Sequence, residues 1–73
     1  MPLVDIQLPE GVFTKDQKAE MITKVTDIMV GIEGEALRGA TWVRVLEVPS
    51  GQWAIGGKPL NADAIKDALQ KKG

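Results

Sequence analysis

Apolar and polar positions change their period twice along this chain. From Leu3 to Leu8 they alternate, with Val4, Ile6 and Leu8 on one face and Leu3, Asp5 and Gln7 on the other, the two-residue period of a half-buried strand. Pro9-Glu10-Gly11 ends that strand. Thr14 and Gln17 then stand at the spacing where a hydroxyl accepts from an early helical N–H and an amide side chain reaches back, so a helix starts near Lys15. Met21, Ile22, Val25, Ile28, Met29 and Ile32 recur at helical spacing and form one stripe that must cover a sheet. Lys15, Lys18, Glu20, Lys24 and Asp27 fall on the solvated side, Glu20 and Lys24 at the spacing of a supporting pair. Gly31 and Gly34 predict the end of the helix, and 33–40 a connecting loop.

The period of two returns in 41–48, Thr41-Trp42-Val43-Arg44-Val45-Leu46-Glu47-Val48, a segment dense in β-branched residues. A strand, a long helix and a second strand make a crossover unit, which predicts parallel strands and a right-handed connection. Alternation groups Trp42, Arg44, Leu46 and Val48, so Arg44 is the one charged member of an apolar face. Pro49-Ser50-Gly51 is turn chemistry, 52–55 is short and extended, and Gly56-Gly57 permits a reversal, which together predict a small hairpin. Asn61 caps a last short helix whose inner face carries Ile65, Ala68 and Leu69, with Lys71 and Lys72 at its negative end. The elements predict an α+β fold in a single domain over residues 1–73.

Size changes this picture. A chain of 73 residues buries only about 60% of its unfolded surface, so a lone core is marginal and oligomerisation is the expected remedy. The absence of cysteine and histidine removes disulfides and thiol chemistry and makes nitrogen or sulfur metal sites improbable. Nine basic residues against ten acidic ones give a net charge of −1 without a clustered basic face, which argues against nucleic acid or an anionic membrane as partner. No apolar run has the length of a membrane span, and Asp5 interrupts a signal-peptide reading of the start, so a cytoplasmic location is expected.

Three residues carry candidate chemistry. If Met1 is trimmed, Pro2 becomes a free secondary amine, and an α-amino group titrates at roughly 7.7–8.0, close enough to neutrality for a nearby cation or modest desolvation to leave it basic. If Met1 is retained, Pro2 is an amide. Pro2 is also explained simply as a first strand residue whose missing N–H costs no ladder bond. Arg44 either forms a structural ion pair with Asp5, Glu47 or a carboxylate of another subunit, snorkels to water, or waits as an open fork for a ligand carboxylate. Trp53 fills a core or an interface, as tryptophan commonly does.

Pro2, the Leu8-Pro9-Glu10-Gly11 strand ending, the capped helix with Asp16-Gln17-Lys18 in its first turn, the Val43-Arg44-Val45 strand and Gly51-Gln52-Trp53-Ala54-Ile55-Gly56-Gly57 together resemble the 4-oxalocrotonate tautomerase family over nearly the whole chain. The resemblance implies a β-α-β protomer whose strands pair with a second copy, and three such dimers forming a homohexamer with active sites between subunits. It implies a cofactor-independent keto–enol tautomerase acting on a small carbonyl acid, with no metal or organic cofactor. Pro2 would be the catalytic base, Arg44 the carboxylate-binding cation that draws charge toward it, and Trp53 the apolar wall, at the place of a phenylalanine in the prototype. Where the prototype has a second substrate arginine this chain has Val12, so a monocarboxylate, keto acid or aldehyde fits better than a dicarboxylate, with Lys15, Lys58 or Arg38 as candidate substitutes. Two alternatives stand beside this: a hydratase or dehalogenase of the same superfamily, with Glu47 or Glu10 activating water, and a non-catalytic oligomeric binder of small acids, favoured if Met1 is retained.

Overall fold

The two alternating segments become neighbouring strands. A computed structural model describes the backbone over residues 2–72 and the side chains over residues 2–67. Strand β1 (Leu3–Pro9) and strand β2 (Trp42–Val48) pair in parallel, from Leu3 opposite Trp42, through Asp5 opposite Arg44, to Pro9 opposite Val48. The pairing continues past both ends: the Trp42 N–H donates to the Pro2 carbonyl at 2.9 Å and the Glu10 N–H to the Val48 carbonyl at 2.8 Å. Val4, Ile6 and Leu8 are the shielded positions of β1, as the alternation predicts, and Leu3, Asp5 and Gln7 face outward.

Helix α1 (Lys15–Glu33) connects the strands and packs on β2. Its start follows the reciprocal cap: the Gln17 N–H donates to Thr14 Oγ1 at 3.1 Å, and the Thr14 N–H donates to Gln17 Oε1 at 2.9 Å. The covered face differs from the predicted stripe. Met21, Val25 and Met29 are half-buried and Val30 is buried, joined by Thr26 and Glu33, whereas Ile28 and Ile32 are 63% and 82% exposed. Two strands about 4.8 Å apart present too narrow a floor for the whole stripe, so its Ile28–Ile32 flank overhangs the sheet.

Of the two glycines predicted to end the helix, the second does so. Gly31 lies inside α1, where a single glycine costs only about 1 kcal/mol. Gly34 is the terminator: its φ of 109° is a backbone state open to glycine, and its N–H donates to the Val30 carbonyl at 2.8 Å. The connection is no irregular loop but a 3-10 helix over Glu35–Ala40. Its three-residue turn stacks Arg38 over Glu35, with Nε 2.8 Å from one carboxylate oxygen and Nη2 3.2 Å from the other, while Nη1 reaches Asp27 of α1 at 3.0 Å. The Thr41 hydroxyl lies against the Glu33 carboxylate and 2.8 Å from the Leu37 carbonyl, closing the segment before β2 begins.

Beyond β2 the predicted hairpin forms from β3 (Ala54–Ile55) and β4 (Lys58–Pro59), antiparallel, with Ile55 opposite Lys58. Gly56 and Gly57, at φ 60° and 82°, supply the two left-handed positions of the tight turn between them. Helix α2 (Ala62–Lys72) is capped as expected, the Ala64 N–H donating to Asn61 Oδ1 at 2.7 Å. Ile65 on α2 is half-buried; the side chains of Ala68, Leu69, Lys71 and Lys72 lie outside the described residues.

The core within one protomer is small. Among the described residues only Leu8 of β1, Val12 of the β1–α1 turn and Val30 of α1 are buried apolar side chains. No described helix is long and apolar enough to cross a membrane.

Candidate active site

Residue parity decides what surrounds Arg44. Along β2 it shares its outward face with Trp42 and Leu46, and directly across on β1 stands Asp5, flanked by Leu3 and Gln7. Leu3, Trp42 and Leu46 are 51%, 56% and 37% exposed, so a charged pair is set in an apolar patch that none of the described residues covers. Of the readings that the sequence left open for Arg44, the ion pair to Asp5 is present within the single chain. Arg44 Nε lies 2.8 Å from Asp5 Oδ1 and Nη2 lies 2.9 Å from Oδ2, a two-bond fork. The hydrogen bonding and charge of Arg44 hold the Asp5 carboxyl below its ordinary range, and Asp5 in turn raises the guanidinium further above its own.

Pro2 is half-buried at the head of β1, and its carbonyl is tied to the Trp42 N–H. It lies three residues before Asp5, about 10 Å along a strand, so Pro2 and the Arg44 pair occupy different stations of the same ribbon. Met1 is outside the described residues. Trp53, half-buried, immediately precedes β3, and its carbonyl accepts the Leu60 N–H at 2.7 Å, which fixes it at the base of the hairpin.

The other residues that the sequence brings forward are largely committed. Val12 is 8% exposed and belongs to the core, so the place of a second arginine is spent on packing. Arg38 is held by Glu35 and Asp27. Glu47 points to the helix side, where Lys18 Nζ binds it at 3.0 Å. A groove of about 220 Å³ opens along α1 between Phe13, Gln17, Glu20, Met21 and Lys24, and includes none of Pro2, Arg44 and Trp53. Among the described residues no His, Cys, Asp or Glu side chains gather closely enough to hold a metal ion.

The family model described as "Tautomerase enzyme" matches residues 2–63, more than three quarters of the chain. The chain belongs to the tautomerase family. Solved tautomerase structures share the fold: that of an apo unfused 4-oxalocrotonate tautomerase is similar at a TM-score of 0.71 with 26% identity, over 88% of this chain and 98% of that one. A 4-oxalocrotonate tautomerase homologue is 30% identical at a TM-score of 0.70, over 78% of this chain and 87% of that one. The heterohexameric 4-oxalocrotonate tautomerase of Chloroflexus aurantiacus J-10-fl is 25% identical at a TM-score of 0.71, over 81% and 92% of the two chains. Among curated proteins no relative matches significantly. The β-α-β protomer with its hairpin and second helix is thus a tautomerase protomer, as the sequence resemblance implies, and a tautomerase-type activity is the coarse function that family membership supports.

Proposed function

We propose that this protein is a cofactor-independent keto–enol tautomerase for a small carbonyl acid, with Pro2, freed by removal of Met1, as the general base. The observation that carries the reading is the family match, which starts at Pro2 and runs through the Arg44 strand and the Trp53 hairpin. A proton beside a carbonyl becomes removable when the enolate it leaves is held by a cation in a site shielded from water. In this reading Pro2 lifts the proton from one carbon and returns it to another, Arg44 binds the substrate carboxylate and stabilises the charge that develops there, and Trp53 excludes water. A neighbouring cation also lowers the pKa of the Pro2 amine by disfavouring its charged form.

The site assembles between subunits, in a homohexamer built as a trimer of dimers. Support comes from the protomer itself. A parallel sheet is normally covered on both faces, and here the outward face of β1 and β2 is left bare by the described residues. The surface area of 5412 Å² exceeds the roughly 4400 Å² of a compact monomer of 7.9 kDa.

Of the two water-activating candidates of the hydratase and dehalogenase reading, Glu47 is bound by Lys18 on the helix side, while Glu10 lies exposed just beyond β1.

Intact mass of the purified protein is measured first, and a chain beginning at Pro2 is expected. Pro2→Ala is then expected to abolish enolisation of phenylpyruvate while the oligomer stays intact by light scattering. A mass that includes Met1 in an active protein, or undiminished activity of the variant, rejects the proline assignment.

A further inference from the structure

We propose that Asp5 sets the charge that the Arg44 clamp presents, and thereby selects substrates carrying no more than one carboxylate. This rests on the tautomerase reading above and names the substrate class of that site. The register places Asp5 directly across from Arg44 on the same outward face, and the carboxylate takes the side-on fork of the guanidinium through Nε and Nη2. A guanidinium has five N–H donors, so the two hydrogens of Nη1 and the second hydrogen of Nη2 remain as an end-on fork.

That fork seats one carboxylate, in a guanidinium whose side-on face is fixed by Asp5. Binding it gives the group of Asp5, Arg44 and ligand a net charge of −1. A second substrate carboxylate adds another negative charge; Arg38 is engaged with Glu35 and Asp27 and Lys18 with Glu47, while Lys15 opens α1 and Lys58 lies in β4, neither on the strand face that carries the pair. The position from which a second arginine would reach the site is the buried Val12. Asp5 therefore acts as a specificity-determining residue by partial neutralisation, and an uncharged or singly charged carbonyl compound is the class the site accepts.

The test compares wild type with Asp5→Asn, which keeps the shape and removes the charge, on three enolising probes: methyl phenylpyruvate (uncharged), phenylpyruvate (one carboxylate) and oxaloacetate (two). Because Arg44 is 53% exposed in the single chain, solvent screening there sets a few-fold effect as the lower bound for the assembled site. The KM of phenylpyruvate relative to that of its ester is expected to fall about threefold in the variant, and that of oxaloacetate to fall further. A purely structural ion pair moves all three probes together, and that outcome overturns the proposal, as does an unchanged ratio.

A binding arm needs no turnover. Binding of 3-phenylpropionate and of its methyl ester, followed by NMR titration, is compared between Pro2→Ala and Pro2→Ala/Asp5→Asn. The acid is expected to bind about threefold tighter, relative to the ester, once Asp5 is neutral. If no probe is turned over by wild type, the enzymatic reading fails while this ratio still decides the role of Asp5; an unchanged ratio, or no carboxylate binding in any variant, rejects it.

Discussion

Arg44 meets Asp5 and not Glu47 because of strand parity. Residues 44 and 47 on β2 point to opposite faces, so Glu47 is delivered to Lys18 on α1 while Arg44 is delivered to the residue across the ladder. The pair has a pH signature. The Asp5 carboxyl is held below its ordinary value of 3.8, so its contribution to stability is present above that value and is lost as pH falls through it and below. Urea midpoints of wild type and Asp5→Asn are therefore expected to differ most near neutrality and to converge in acid below the ordinary carboxylate range; a gap that stays constant with pH contradicts the pairing. A sequence read alone names Asp5, Glu47 and another subunit's carboxylate as equal candidates for Arg44. It fixes parity within a strand but not which residues of the other strand lie across from it.

At the scale of elements, α1 shows what local patterning settles and what it leaves open. The Thr14–Gln17 cap is local chemistry and places the helix start at the predicted residue. The helix end needs a choice between two glycines, and only backbone conformation separates them. Gly31 is helical with open space around an added Cβ, whereas Gly34 has φ +109°. Gly31→Ala is expected to stabilise the protein by about 0.5–1 kcal/mol, and Gly34→Ala to destabilise it by about 1 kcal/mol or more. Thermal unfolding of the two variants checks this, and a shift of the same sign in both contradicts the assignment of Gly34 as terminator. The covered face of α1 was only partly legible for a related reason: periodicity gives a stripe, but the width of the floor beneath it decides that Met21, Val25, Met29 and Val30 are shielded and Ile28 and Ile32 are not. The 3-10 helix at Glu35–Ala40 was not legible at all, since its ties run to Asp27 and Glu33 of α1 as well as within itself.

The whole molecule is long and thin, 42 × 26 × 19 Å with a radius of gyration of 14.9 Å, where a compact chain of this length has about 11 Å. The hairpin and α2 extend from the β-α-β body; at the start of α2 the Ala62 Cβ lies 3.6 Å from where a Cβ on Gly11 would stand. The assembly proposed above would cover Leu3, Trp42 and Leu46, which stand exposed on one sheet face, and so supply burial that the single chain lacks. Trp42→Lys is expected to shift the protein to smaller species by light scattering and to make its melting temperature depend more steeply on concentration. An unchanged assembly would place the interface elsewhere.

The sequence by itself determined the order and type of the two long strands and the two α-helices, the cap of α1, the tight hairpin at Gly56-Gly57 and the resemblance that family membership bears out, because each depends on residues within a few positions of one another or on an ordered set of short motifs. Only the tertiary structure decided that the side-on fork of Arg44 is already filled by Asp5, that Val12 is core, and that Ile28 and Ile32 overhang the sheet. Those outcomes turn on strand register and on the width of a packed face, which bring together residues as far apart as Asp5 and Arg44 and which no local spacing encodes.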